Sequence, residues 1–192
     1  MRKVYAFDFD GTLTTCDTLL AFIRYANGTL AFMWGFLRHA HLLVLMKLKL
    51  YPNWKAKQSV FSYFFKGMDL ESFDSLCRQF AVENRGLLRP KGLQLIAHAK
   101  EEGADTLIVS ASIDNWVQPF FPNVTVLGTQ IEVKDGCLTG RFLTRNCYGQ
   151  EKVNRILAQY PDRNSYYLIA YGDSRGDKEL LAFADEAHYK AL

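Results

Sequence analysis

An apolar run that ends in two carboxylates constrains the fold of this chain more than any other stretch. Residues 4–7 are apolar and rich in β-branched and aromatic side chains, and Asp8, Asp10 and Gly11 follow at once. Side chains alternate along a strand, so Asp8 and Asp10 share one face if extended geometry continues that far. Carboxylates that close repel unless a cation lies between them. The stretch predicts a buried strand that delivers two acids to a sheet edge, with a simple acidic turn as the alternative.

The length and composition suit one globular domain with an insertion. The chain has 192 residues, of which 49% are apolar, which is enough for a sizeable core. A net charge of +3 does not demand a nucleic-acid partner, and we expect none. The four cysteines are scattered and form no C-x-x-C pair. This pattern favours reduced thiols in a cytoplasmic protein over a zinc site or a disulfide framework.

Residues 30–50 form the most apolar segment of the chain. Its middle is interrupted by Arg38, His39 and His41. A spanning helix needs about 20 apolar residues, and a central arginine costs about 3 kcal/mol even on a permissive insertion scale. We therefore expect a buried or interface-facing helix. Peripheral contact of this region with the inner face of a membrane is the alternative.

The order of predicted elements indicates an α/β fold. Apolar side chains recur at helical intervals throughout residues 15–84, whereas helices and strands alternate after residue 85. This pattern predicts a doubly wound, mostly parallel sheet from residues 1–14 and 85–192, with residues 15–84 as an inserted all-helical cap. The predicted helices cover 18–25 (ended by Asn27-Gly28), 30–50, 54–65, 69–83, 92–102, 114–121, 150–160 and 178–184; the later predicted strands cover 106–110, 124–127, 166–170 and 187–190, with a hairpin at 130–142.

Polar side chains follow three of the predicted strands at their carboxyl ends. Because these ends meet at one edge of a parallel sheet, the side chains should converge there. Two unit charges about 4 Å apart interact by roughly 4 kcal/mol at an effective dielectric of about 20, so clustered carboxylates repel a phosphate dianion. A divalent cation reverses that sign, and Mg²⁺ is the usual choice with phosphates. The residues concerned are Asp8, Asp10, Ser110, Ser112, Asp173 and Asp177, with Lys152 as a further contributor from the start of a helix.

Four segments of the chain, taken in order, resemble the motifs of the haloacid dehalogenase-like (HAD) phosphohydrolases. They are residues 8–13, residues 109–112, Lys152 and residues 172–177. The helical insertion after the first segment is similar to the cap of their phosphoserine phosphatase-like branch, subfamily IB. The resemblance implies a Rossmann-like core and Mg²⁺-dependent hydrolysis of a phosphomonoester through an aspartyl-phosphate intermediate.

The resemblance also implies which residues carry the chemistry. Asp8 would be the nucleophile, and Asp10 would protonate the leaving oxygen and then activate the water. The Asp8 carboxylate, the Asp10 backbone carbonyl and Asp173 would bind Mg²⁺. Asp177 would not bind the metal directly; it would orient the groups that do, or act through Lys152.

Other residues would bind the phosphoryl group and the rest of the substrate. Ser110, Lys152 and the backbone N–H groups after the nucleophile, including that of Gly11, would hold phosphoryl oxygens. Asp17 falls where phosphoserine phosphatases carry an acid that meets the substrate amine, and it can equally cap the helix that follows. Residues 54–61 lack the arginine that those enzymes carry in the cap.

The resemblance leaves the substrate open between two classes. Residues 145–152 and the apolar cap look closer to phosphatidylglycerophosphatase C and its relatives, which implies a lipid phosphate or another partly apolar phosphomonoester. A small, phosphoserine-like phosphomonoester is the alternative. The sequence predicts no oligomeric state.

Two other functions compete with hydrolysis. Response regulators also combine an acidic cluster, a strand-end hydroxyl and a lysine on a doubly wound sheet, so a phospho-accepting regulator is one of them. Such proteins need no cap, and their acceptor follows the metal-binding acids instead of opening the chain. The other is a membrane-surface binding protein with a vestigial phosphatase site, which the complete set of motifs opposes.

Overall fold

The computed structural model describes residues 1–192 and contains a five-stranded parallel sheet. The central strand β1 (Arg2–Phe7) pairs with β2 (Asp105–Ile113) on one side and with β6 (Tyr166–Gly172) on the other. The outer strands β3 (Thr125–Thr129) and β7 (Glu186–Tyr189) complete the order β3-β2-β1-β6-β7. All of these pairings are parallel, which confirms the predicted α/β class.

Both faces of the sheet are covered. Tyr5 and Phe7 pack into a core on one face, whereas Val4 and Ala6 pack into a separate core on the other. This alternation follows from strand geometry, and it explains why the strand reads as a continuous apolar run. The helices outside the insertion are α4 (Pro90–Glu101), α5 (Asp114–Val117), α6 (Gln150–Gln159) and α7 (Lys178–Phe183).

Three helices lie between β1 and α4. They are α1 (Thr18–Lys47), α2 (Asn53–Phe65) and α3 (Leu70–Glu83). Inside α1 the backbone leaves helical geometry at Gly28, with φ 78° and ψ 165°, a conformation that favours glycine. The predicted break at this position is confirmed, and α1 consists of two arms, residues 18–27 and 29–47. The helical insertion after β1 is therefore present, while its exact domain boundaries stay a prediction.

Aromatic side chains fix the insertion to the sheet. Phe22 of α1 stacks on Trp116 of α5 with ring centroids 5.0 Å apart, and it meets Phe80 of α3 edge-on at 5.2 Å. All three side chains are fully buried. Pairs of this kind contribute about 0.5–1.5 kcal/mol each beyond their buried area, so the first arm of α1 is anchored beside the end of β2.

The predicted hairpin is also present. β4 (Ile131–Lys134) and β5 (Cys137–Phe142) pair antiparallel around Asp135 and Gly136, both with positive φ, as a tight hairpin turn requires. The backbone N–H of Phe142 donates to the side-chain oxygen of Gln58 at 2.9 Å. The hairpin therefore supports α2 from outside the main sheet.

Candidate active site

A tight turn directly after β1 places the first two acids. Extended geometry ends at Asp8, because Gly11 has φ 82° and the N–H of Thr14 closes a turn on the carbonyl of Phe9 at 3.0 Å. The condition for both acids to share a strand face, that extended geometry continues to Asp10, is therefore not met. Asp8 and Asp10 nevertheless line the same cavity, because the turn brings both side chains to the carboxyl edge of the sheet.

Lys152 lies between two buried carboxylates. Its Nζ donates to Asp8 Oδ1 at 2.5 Å and to Asp177 Oδ1 at 2.6 Å. Burial opposes the charge of Lys152, but the two acids outweigh it and raise its pKa, so the ammonium group is permanently charged. Burial also raises the pKa of Asp8 to about 7 in the metal-free chain, and Lys152 opposes that rise. A second cation near Asp8 would hold it ionised.

Asp177 is committed to structure around this lysine. Its Oδ2 accepts from the backbone N–H of Ser174 at 3.0 Å and from the Ser174 hydroxyl at 2.7 Å. Burial disfavours its charge, but Lys152 and Ser174 reverse the effect, so the pKa of Asp177 lies below its usual range. Asp177 thus fixes the turn after β6 and holds Lys152 toward Asp8.

Asp173 completes an acidic cluster that can hold a metal ion. One carboxylate oxygen from each of Asp8, Asp173 and Asp177 lies within 4.8 Å of the others. The Thr12 hydroxyl lies 3.1 Å from both Asp8 Oδ2 and Asp173 Oδ1 and so links the two acids. Asp177 is the most heavily hydrogen-bonded of the three acids, since Lys152 occupies its Oδ1 and Ser174 donates twice to its Oδ2, so Asp8 and Asp173 have more lone pairs left for a metal ion. Hard carboxylate oxygens in this arrangement fit a hard divalent cation.

Gly11 has a different place from the one predicted. Its N–H donates to the Thr14 hydroxyl at 3.2 Å, so it is not directed at a phosphoryl group. A Cβ at Gly11 would lie 2.5 Å from Asp173 Oδ2. This glycine is therefore needed for its positive φ and for the space beside Asp173.

Replacing Gly11 with Ala will displace Asp173 and weaken metal binding. We expect the divalent-cation concentration for half-maximal hydrolysis of p-nitrophenyl phosphate to rise at least about tenfold, as for other disruptions around metal ligands. Gly67→Ala is the matched control, since Gly67 has a similar φ of 85° but a Cβ there would meet nothing within 4 Å. Equal metal requirements in the two variants would contradict this role for Gly11.

Asp10 is held by two hydroxyl groups. Its Oδ2 accepts from Ser112 Oγ at 2.5 Å, and its Oδ1 accepts from Thr18 Oγ1 at 2.5 Å. The indole N–H of Trp116 donates in turn to Thr18 Oγ1 at 3.3 Å. This network ties the acid to both β2 and the first turn of α1, so the catalytic geometry depends on how the insertion sits on the sheet.

The hydroxyl residues of β2 do not follow the strand but lie inside it. β2 continues to Ile113, and its pairing with β3 is irregular between Val109 and Ile113. Ser110 is 1% exposed, lines the cavity, and accepts from the N–H of Ser112 at 3.0 Å. Because β1 pairs with β2 only as far as Phe7, these hydroxyls reach past the end of β1 toward its acids.

The cavity has a volume of about 600 Å³, and one of its walls is polar while the other is apolar. The acids, Ser110 and Lys152 lie on the side of the sheet, whereas α1 and α2 contribute apolar side chains. A neighbouring groove of about 640 Å³ shares Asn53, Asn146 and Tyr148 with it but contains none of the acids, so the chemistry belongs to the first cavity. The apolar lining consists of Leu19, Leu20, Phe36, Leu43, Met46 and Val60.

Three charged residues of the insertion also reach this cavity, namely Asp17, Lys47 and Lys57. Asp17 accepts from the N–H of Leu19 at 2.9 Å and so caps α1, while burial and the nearby Asp10 raise its pKa. Lys57 of α2 donates to the carbonyl of Ala111 at 2.7 Å. Burial lowers the pKa of Lys57, and the acids Asp10, Asp17 and Asp8 oppose that shift. Both predicted roles of Asp17 are thus compatible with its place.

Sequence reasoning missed several residues that the structure brings into the site. Thr12 and Thr18 orient the acids, yet isolated hydroxyl residues give no signal of their own in a sequence. Ser112 was predicted at this edge of the sheet, but its hydrogen bond to Asp10 was not. Lys57 had one usable signal, since it lies in an apolar helix with no acidic residue from position 18 to 67 to pair with. This pattern indicates that Lys57 pairs with a buried group from elsewhere in the chain.

Comparison with known proteins decides the family. A model of the family described as haloacid dehalogenase-like hydrolase matches residues 5–182. The chain belongs to the haloacid dehalogenase-like (HAD) hydrolases. The family assignment confirms the HAD-like resemblance, and the chain carries its helical insertion directly after β1.

Individual relatives agree with this assignment. Protein CicA of Caulobacter vibrioides is 34% identical over 191 residues, which cover 96% of this chain and 84% of CicA. A solved protein of unknown function from Bordetella pertussis Tohama I has a TM-score of 0.82 at 18% identity, covering 95% of this chain and 86% of that one. A structure described as a phospho-aspartyl intermediate analogue of phosphoserine phosphatase has a TM-score of 0.61 at 19% identity, covering 95% and 83%. Phosphoserine phosphatases are therefore structural neighbours, and at these identities the likeness shows the fold alone.

Proposed function

We propose that this HAD-like hydrolase is a Mg²⁺-dependent phosphomonoesterase in which Asp8 accepts the phosphoryl group. The observation that carries the proposal is the setting of the Asp8 carboxylate. It lines the cavity, pairs with Lys152 at 2.5 Å, and shares the Thr12 hydroxyl with Asp173. A carboxylate held in this way is oriented as a nucleophile, and the cation beside it offsets the charge of an approaching phosphate.

The proposed reaction has two displacements at phosphorus. In the first, an Asp8 carboxylate oxygen bonds to phosphorus, the bond to the leaving oxygen breaks, and Asp10 gives its proton to that oxygen. In the second, water bonds to phosphorus, Asp10 takes a proton from it, and the bond to Asp8 breaks. Inorganic phosphate leaves, and both carboxylates return to their starting state.

The other site residues would position the phosphoryl group and the acids. Lys152 and the Ser110 hydroxyl lie on the cavity wall beside Asp8, where they can donate to phosphoryl oxygens. A Mg²⁺ ion bound by Asp8 and Asp173 would supply charge neutralisation for those oxygens. Ser112 and Thr18 would keep Asp10 aimed at the leaving oxygen.

The cavity lining favours a substrate with an apolar portion. Six apolar side chains of α1 and α2 face the acids across the cavity, and Lys47 and Lys57 add two cations on that wall. An aliphatic or acyl group of a phosphomonoester can be buried there, so we infer a partly apolar phosphomonoester such as a lipid phosphate. Phosphate release from phosphatidylglycerophosphate, phosphoserine and sugar phosphates, measured side by side, separates this class from the small polar esters.

Inhibition by beryllofluoride tests the covalent route. This anion mimics an acyl-phosphate on an aspartate, so we expect it to abolish hydrolysis of p-nitrophenyl phosphate only when Mg²⁺ is also present. After Mg²⁺ has been removed with a chelator, the protein should no longer bind beryllofluoride. Full activity with millimolar Mg²⁺ and beryllofluoride together would argue for direct attack by water.

A further inference from the structure

The second arm of α1 presents an apolar face to solvent. α1 is the one helix of the chain that is long and apolar enough to cross a membrane by length and composition alone, yet only 11% of its most apolar window is buried. Trp34 is 67% exposed and Leu37 is 65% exposed. The exposed apolar residues recur at intervals of three and four, so they share one side of the helix. This apolar face consists of Leu30, Met33, Trp34, Leu37, Val44, Leu45 and Leu48.

The stretch of sequence that carries this apolar face is rich in positive charge, and Arg38, Lys47 and Lys49 lie within the second arm or directly after it. Residues 18–67 contain seven lysines and arginines and no aspartate or glutamate, while the whole chain carries only +3. Lys57 lines the active-site cavity, and the other six are exposed, with Lys47 also at the edge of that cavity. Residues 18–67 are therefore both apolar and cationic on their outside. The exposed cations are Arg24, Arg38, Lys47, Lys49, Lys55 and Lys66.

The fold excludes the use of α1 as a spanning helix. Leu19 near its beginning and Leu43 near its end line the same cavity, although a straight helix would hold them about 36 Å apart. The bend at Gly28 folds the helix back on itself. The inner side of the second arm also packs on α2, where Gly35 lies directly under the ring of Phe64. Both ends of α1 therefore lie on the same side of any membrane.

We propose that the apolar face docks on an anionic phospholipid bilayer, with the second arm lying in the plane of the interface. An anionic bilayer binds helices that have apolar side chains on one side and lysines and arginines beside them. The charged ends pair with the anionic headgroups, and the aliphatic parts of the same side chains lie against the apolar region. A second copy of this chain fits poorly, since a symmetric contact would bring like charges together. The bilayer is therefore the occupant that matches both the charge and the apolarity.

Docking would also place the active site at the lipid headgroups. Leu43, Met46 and Lys47 line the cavity from the same arm whose outer side carries the apolar face. A lipid phosphate in the bilayer could then reach the acids without leaving the membrane surface. This consequence rests on the proposed function, whereas the docking itself does not.

Sedimentation of the full chain with vesicles tests the proposal. We expect binding to vesicles of phosphatidylcholine mixed with phosphatidylglycerol, little binding to phosphatidylcholine alone, and weaker binding at high salt, which screens charge. The double variant Trp34→Gln/Leu37→Gln should lower the bound fraction at least about tenfold. Val82→Gln is the matched control, because Val82 is 73% exposed on α3 and lies outside the apolar face; its binding should equal that of the wild type.

The remaining outcomes each decide a separate question. Unchanged binding by the double variant, or equal binding to both vesicle types, would overturn the proposal. A wild-type dimer in gel filtration that the double variant converts to a monomer, without vesicle binding, would assign the face to a second copy and also overturn it. Hydrolysis of soluble p-nitrophenyl phosphate should stay within about twofold in the double variant, which confirms folding. If the wild-type protein binds vesicles but hydrolyses no phosphomonoester, the docking proposal is supported and only the proposed function is contradicted.

Discussion

Replacing Asp8 with Asn will lower kcat for phosphomonoester hydrolysis by at least about 10⁴-fold. The amide keeps the shape of the carboxylate but lacks the nucleophilic oxygen and the negative charge that binds the cation. Removal of a covalent nucleophile lowers kcat by a factor of this order. Phosphate release under saturating substrate and Mg²⁺ measures the effect. Asp135→Asn is the matched control, since Asp135 lies exposed at the hairpin turn, and it should retain wild-type activity.

The same substitution should leave the fold at least as stable when no metal is present. Burial raises the pKa of Asp8 to about 7, above its ordinary value. A group with a raised folded-state pKa contributes stability below its unfolded pKa and loses that contribution as the pH rises through about 7. A neutral amide avoids this loss, so urea unfolding above pH 7 should show no destabilisation. An Asp8→Asn protein with wild-type turnover would remove Asp8 from the role of nucleophile.

Replacing Lys152 with Met will destabilise the metal-free protein by about 3–5 kcal/mol at neutral pH. Lys152 is 2% exposed and pairs with Asp8 and Asp177, so its loss leaves two buried carboxylates without a counter-charge. Urea unfolding followed by circular dichroism measures the change. The exposed Lys100 of α4 provides the matched control, and Lys100→Met should stay within about 0.5 kcal/mol of the wild type.

A double variant separates the charge effect from lost packing. If repulsion between carboxylates causes the loss, Lys152→Met combined with Asp177→Asn should be more stable than Lys152→Met alone, since only one of the two acidic groups then lacks a counter-charge. Added Mg²⁺ should also stabilise the single variant, because a cation at Asp8 replaces part of the missing charge. A double variant less stable than either single variant would show that packing, and not charge, determines the stability here.

The parts of the site that follow from strand order could be predicted from the sequence. Parallel strands place their carboxyl ends at one edge, so Asp8, Ser110 and Asp173 had to come near one another once the order of elements was recognised. The association of Lys152 with Asp8 also agrees with prediction, because the start of α6 lies at that same edge. The family match and the parallel sheet confirm the architecture on which these predictions depended.

The parts that depend on exact backbone geometry could not be predicted. Whether an N–H faces a ligand is decided by local φ and ψ, and the Gly11 N–H donates to Thr14 instead. The hydroxyls of Ser112 and Thr18 reach Asp10 only because β2 is irregular and the insertion returns to the sheet. The contact between Ser112 and Asp10 joins residues 102 positions apart; strand order predicts that the two segments meet, but not which atoms form the hydrogen bond.

The folding back of α1 shows the same limit on a larger scale. The sequence indicates a break at Gly28, which the structure confirms, but the direction of the second arm depends on packing such as that of Gly35 against Phe64. This direction sets which apolar side chains line the cavity and which face solvent. The positions of the apolar cavity lining and of the exposed apolar face therefore come from tertiary structure and not from periodicity.

The stereochemical course at phosphorus tests the central claim most directly. A phosphorothioate monoester made chiral by isotopic labelling is hydrolysed by the wild-type protein in labelled water, and the configuration of the released thiophosphate is determined. Two successive in-line displacements, first by Asp8 and then by water, predict net retention of configuration. Net inversion would mean a single attack by water and would contradict an aspartyl-phosphate at Asp8.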